Sequence, residues 1–127
     1  MKALTVKQPY AHAIDLCYKT IEIRSWPTNY RGPVLITSSM RPRVEMQGIQ
    51  LPTGTMICVV EITDCKPMTK RDARNAMVDY HKDHISWHLQ FKYTVEKIPI
   101  RGKLGLWTPD QRLIVRAPSN PNRKRGK

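Results

Sequence analysis

An amine and a carboxylate that share a sheltered cleft can shift each other's pKa values. Loss of water penalises charge, while an opposite charge nearby restores it, so such pairs can hold a proton-transfer group. Lys19, Glu22 and Glu61 are the residues of this chain that could form such a site. Lys19 and Glu22 belong to Lys19-Thr20-Ile21-Glu22-Ile23-Arg24, and Glu61 sits in the apolar run Cys58-Val59-Val60-Glu61-Ile62. The same spacing also suits a partly exposed ion pair that only settles strand pairing. Spacing alone leaves both readings open.

A second chemistry overlaps the first. Lys7, Lys19, Arg24, Arg31 and Lys103 offer cations for phosphates, and Tyr10, Trp26, Tyr30 and Trp107 offer flat faces for unstacked bases. Trp26 and Trp107 equally suit packing in or beside a small core. Arg123, Lys124 and Arg125 end the chain as a basic run that could bind phosphate by counterion release, or only keep the chain soluble. His81, His84 and His88 would align on one helix as metal ligands. However, an alternating strand pattern begins at His88, and no Cys or acid completes a zinc spacing. Neither a metal site nor a cofactor is expected.

These residues need elements to position them. In an extended strand over 20–24, Ile21 and Ile23 point one way and Thr20, Glu22 and Arg24 the other. Ala3 to Val6 reads as an opening strand. Pro9 suits the first turn of a helix running to about Tyr18, whose stripe is Tyr10, Ala13, Ile14, Cys17 and Tyr18. A strand is expected over 33–38, then an irregular connection over 39–54 with at most one helical turn. Thr55 to Asp64 reads as a strand with Ile57, Val59 and Glu61 on one face. Thr69 and Asp72 form a capping pattern for a helix over about 70–80. His88 to Val95 alternates as a half-buried strand, and Leu113 to Val115 as a last short one.

The opening segments resemble an ASCH domain, a member of the PUA-like β-barrel superfamily. The family pattern is close to Gly-x-Lys-x-x-Glu-x-Arg, and here Cys17 stands in the glycine's place before Lys19, Glu22 and Arg24. Trp26, Tyr30-Arg31-Gly32 and the strand after them extend the likeness, as do Cys58 to Ile62 and Gly105-Leu106-Trp107. The resemblance implies an α+β fold, a PUA-like mixed β-barrel with two or three flanking helices, over residues 1–116. Residues 117–127 are expected to form a basic tail, disordered unless bound.

It also implies a function. Some small ASCH-like enzymes remove the acetyl group of N4-acetylcytidine with a lysine, a threonine and a glutamate, and others have been described as ribonucleases. The lysine maps to Lys19 and the glutamate to Glu61, but Glu22 fills the threonine position, and a carboxylate cannot replace an activated hydroxyl nucleophile. Thr20, two residues earlier, is the remaining hydroxyl on that strand. Binding of nucleic acid, with RNA favoured over single-stranded DNA, is therefore the leading expectation. A hydrolase acting on RNA or a modified nucleoside is the alternative, with Lys19, Glu22 and Glu61 as its catalytic residues.

Composition fits that reading. The 127 residues suit one domain, and 22 Lys plus Arg against 10 Asp plus Glu give a net charge of +12. Five of those charges, Arg116, Arg123, Lys124, Arg125 and Lys127, lie beyond residue 115, which leaves seven on the rest. Three cysteines in or beside apolar segments suit reduced thiols, and no apolar stretch reaches membrane length. A cytoplasmic protein that does not enter a membrane is expected.

Overall fold

Alternating apolar residues in Lys2–Val6 send Leu4 and Val6 to one face and Ala3 to the other, and both faces are covered. This is β1 in a computed structural model that describes residues 1–124. It is followed by α1 (Tyr10–Asp15), β2 (Ile21–Arg24), β3 (Gly32–Ser38), β4 (Glu45–Met46), β5 (Ile49–Gln50), β6 (Met56–Pro67), α2 (Asp72–Ala76) and β7 (Ile85–Thr94). The main sheet runs β1-β3-β6-β7-β2, with β1 parallel to β3 and the other neighbours antiparallel. It curls into a half-barrel carrying two short helices, as expected for an α+β fold of PUA-like type.

The curl has visible causes. The register of β6 slips against β7 at Val59/Val60 and again at Ile62/Asp64, and such bulges bend a strand and increase its twist. One face of the sheet carries Leu4, Val34, Ile36, Cys58, Val60 and Trp87 under Ala11 and Ile14 of α1. The other carries Ala3, Leu35 and Val59 under residues after β7, including Ile98, Trp107 and Ile114. Burial on both faces explains why β3 reads as a continuous apolar run. A third cluster packs Ile21 and Ile23 of β2 against Ala73 and Ala76 of α2.

Five expected elements differ. Helix α1 stops at Asp15, not Tyr18, because Cys17 takes the left-handed conformation, φ 64°. The Tyr18 amide donates to the Ala13 carbonyl (2.9 Å) and the Cys17 amide to that of Ile14 (3.1 Å), a closing pattern that favours glycine at the left-handed position. The glycine of the family pattern therefore has a steric reason, and Cys17 occupies its place under strain. Replacing Cys17 with glycine should raise stability by about 1 kcal/mol. A higher urea midpoint is the expected readout; a lower one would mean that the thiol's packing outweighs the strain.

The expected irregular connection over 39–54 contains the β4–β5 hairpin, whose two-residue turn, Gln47 and Gly48, has φ of 52° and 78°. Left-handed values at both centres are those of the turn matching strand twist. Helix α2 spans only Asp72–Ala76, not 70–80. Thr69 and Asp72 do cap reciprocally, amide to carboxylate at 3.0 Å and amide to hydroxyl at 3.3 Å, but Met77 ends the helix at φ 60°. In place of a strand over 113–115 there is a single 3₁₀ turn, Gln111–Leu113, begun by the Asp110 carboxylate. Leu113 and Val115 are about half exposed, so little burial favours pairing them. Finally, β7 starts at Ile85 rather than His88 and thereby includes Trp87, which is fully buried.

Candidate nucleic-acid interface

The curl brings the two edge strands of the sheet, β1 and β2, toward each other. Arg24 on β2 laces them: its terminal nitrogen donates to the Thr5 carbonyl on β1 (3.0 Å) and to Glu22 Oε2 (2.7 Å). A cleft of about 1140 Å³ lies at this seam. Its walls are Thr5, Val6, Lys7 and Tyr10 on one side, Lys19, Glu22, Ile23 and Arg24 on another, and Ser38 to Met40 and Pro99 to Gly105 on the rest.

Glu22 pairs in register with Trp87 and so faces the same side of the sheet as that core residue, not solvent. Both of its oxygens are engaged, Oε1 lying 3.4 Å from Lys19 Nζ. Lys19 is 2 % exposed. Its ammonium donates to the Ala76 carbonyl at the end of α2 and stands 5.2 Å from the centre of the Tyr10 ring. Burial pulls its pKa below the ordinary lysine value, and the charge and hydrogen bond of Glu22 oppose that pull. Arg24 Nε is buried with no partner among the described residues.

Lys7, Tyr10, Lys19, Glu22, Arg24 and Lys103 thus converge on one cleft. Glu61 does not. It lies opposite Pro33 and Gln90, while its neighbours Val60 and Ile62 are the residues that enter the core. Its side chain therefore points to the other face, away from the seam. The expected common hollow of Lys19, Glu22 and Glu61 is corrected to Lys19 and Glu22 alone. Thr20, the remaining hydroxyl, is exposed and lines a different cleft.

Five other candidates sit outside the seam. Trp26, 37 % exposed, meets Trp87 edge to face at 4.7 Å and accepts the Trp87 indole hydrogen on its carbonyl. Tyr30 donates its hydroxyl to the Pro33 carbonyl, and Arg31 caps the Thr28 and Tyr30 carbonyls and lies 3.9 Å from Asp64. These contacts hold the β2–β3 connection. Arg123 and Lys124 lie at the second cleft, against α1 and β7 rather than projecting from the body. Arg125 falls outside the described residues.

Of the loop Arg101-Gly102-Lys103-Leu104-Gly105, the sequence pointed to Lys103 as a cation but not to where the loop packs. It approaches β1 so closely that a Cβ on Gly102 would lie 2.6 Å from Thr5 Oγ1. Lys103 stands 5.8 Å from the Trp107 ring, and Leu104 is 99 % exposed at the cleft. Two glycines within four residues were the available signal, and they announce a loop without saying where it packs. The histidine trio is also resolved: His81 and His84 stack at 4.6 Å after α2 has ended, and His88 is on β7.

Residues 4–99 match the ASCH domain family. The fold resembles the crystal structure of ASCH from Zymomonas mobilis, with a TM-score of 0.67 at 14 % identity over 91 % of this chain and 96 % of that one. Two single-site mutants of the Zymomonas protein align with TM-scores of 0.65 and 0.64, at 12 % and 14 % identity. The first covers 89 % of this chain and 97 % of its own, the second 86 % and 88 %. No curated protein matches. At these identities the solved structures speak for the fold, and the match spanning three quarters of the sequence speaks for the family: this chain belongs to the ASCH domain family.

Proposed function

We propose that this ASCH domain binds single-stranded nucleic acid, RNA in the first place, in the seam cleft. The observation that carries the reading is the charge on the walls, where among the described residues Lys7, Lys19, Arg24, Arg101 and Lys103 stand against one acid, Glu22. Lys19 and Arg24 take up that acid between them. Lys7, Arg101 and Lys103 are exposed and make no ion pair among the described residues. Such cations suit phosphates, which a strand presents at every step. Ile100 and Leu104 offer apolar surface for an unstacked base. The partnerless Arg24 Nε–H adds a donor that a base carbonyl or a phosphate oxygen could satisfy.

Three phosphate contacts to a single strand imply a slope of about −2.1 in log K against log salt. Affinity for a short mixed-sequence RNA should then fall about twentyfold between roughly 50 and 200 mM salt. Fluorescence anisotropy of a labelled oligonucleotide reads this directly. Binding indifferent to salt, or none at low salt, would count against the proposal.

The hydrolase reading keeps one specific support, a sheltered amine beside a carboxylate on the cleft wall. Of Lys19, Thr20 and Glu61, the residues that the resemblance offers to an acetylcytidine amidohydrolase, only Lys19 lines this cleft. Incubation with N4-acetylcytidine and with mixed RNA separates the readings, because product that vanishes in Lys19→Met would favour the enzyme.

A further inference from the structure

Beyond the seam, a second cleft of about 760 Å³ lies between β7, the end of α1 and the returning residues 116–124. Lys92, Arg116, Arg123 and Lys124 line it, and among the described residues no carboxylate does. Among the described residues none of these four makes an ion pair. The nearby Asp15 is 3 % exposed, and its carboxylate is occupied by the Thr94 hydroxyl at 2.7 Å. The returning segment is fixed at both ends, by the Ala117 amide on the Thr94 carbonyl (2.9 Å) and the Lys124 amide on the Leu16 carbonyl (2.7 Å).

The aromatic residues here hold the cations in place rather than offering themselves. The Arg116 guanidinium sits 4.9 Å from the centre of the Tyr93 ring, and that of Arg123 sits 4.8 Å from the centre of Phe91. Phe91 also packs against the core, so its ring is shared between the guanidinium and the core. Preplaced cations without a free ring suit phosphate and not base recognition. Consecutive residues of the chain connect the two clefts: Lys19 lines the seam and the next residue, Thr20, lines this one.

We infer that the second cleft holds the phosphodiester backbone of the same single strand, extending the binding path around the α1–β2 connection without reading sequence. The inference rests on the seam-cleft reading. It predicts that length matters: a 5′-phosphorylated trinucleotide, with three phosphates, fills the seam alone, whereas a dodecanucleotide reaches both clefts.

The test compares wild type with the double variant Lys92→Ala, Arg116→Ala, using both RNA lengths in anisotropy titrations across salt. Two lost single-strand contacts should lower the salt slope for the dodecanucleotide by about 1.4, and its affinity about 25-fold near 0.1 M salt. Trinucleotide affinity should stay unchanged, which also reports that the variant is folded. If wild type binds both lengths alike, or the variant loses nothing or loses equally on both, the inference falls while the seam reading stands. If wild type binds neither length, both fall together.

Discussion

Replacing Glu22 with alanine is expected to cost about 3–5 kcal/mol of stability, because it strands a buried ammonium without its counter-charge. Lys19 is almost wholly inaccessible, and among the described residues Glu22 Oε1 is the one carboxylate oxygen beside it. The Ala76 carbonyl and the Tyr10 ring remain after the substitution, but neither carries a full charge. Arg24 would lose its partner too, although it keeps the Thr5 carbonyl and some solvent. Removing both charges together, Lys19→Met with Glu22→Leu, should return most of the loss, since apolar replacements of similar volume pack at little net cost. Urea unfolding of the two single variants and the double closes the cycle. A cost below about 1 kcal/mol for Glu22→Ala would assign the pair to the solvated surface class.

That result also bears on chemistry. An ammonium whose hydrogens are directed to a carbonyl, a carboxylate and a ring face is held as a structural cation. It joins the end of α2, strand β2 and helix α1 at the floor of the seam. For proton transfer it would have to leave one of these contacts. The depressed pKa lowers the cost of losing its proton, and Glu22 raises it again. The cleft therefore contains a plausible base only under a firmly packed arrangement. Binding asks for no such movement, which is a physical reason to rank it first.

Much of this was legible in the sequence. Alternation in Lys19 to Arg24 correctly separated Ile21 and Ile23 from Glu22 and Arg24, because period-two patterning survives whatever the strand pairs with. The same rule set Glu61 with Val59 and opposite Val60 and Ile62, as found, but could not say which of those faces borders the seam. Which face of β6 looks at the seam depends on its register with β3 and β7, and on two bulges that no local pattern announces. Helix ends were overrun because Cys17 and Met77 adopt left-handed conformations that their residue types do not advertise. Trp87 was assigned to no element, since Ser86 and His88 on either side hid a buried strand start. The basic loop over 101–105 had no periodicity at all, and only folding placed it across from Lys7.

Reversing two charges in that loop, Arg101→Glu with Lys103→Glu, should abolish most RNA binding while leaving the fold intact. Both side chains are exposed, so their loss removes little packing. Near 0.1 M salt a single-strand phosphate contact with a slope of about 0.7 contributes about fivefold to affinity, so two alanines should cost about 25-fold. Glutamates replace attraction with repulsion of similar size, and the loss should reach about 600-fold. The defect should shrink as salt rises and nearly vanish close to 1 M, because screening removes attraction and repulsion alike. A contact made through base recognition would leave a residue of lost affinity at high salt. Equal loss at every salt concentration would therefore move these two side chains from the phosphates to the bases, and no loss at all would move the strand out of the seam.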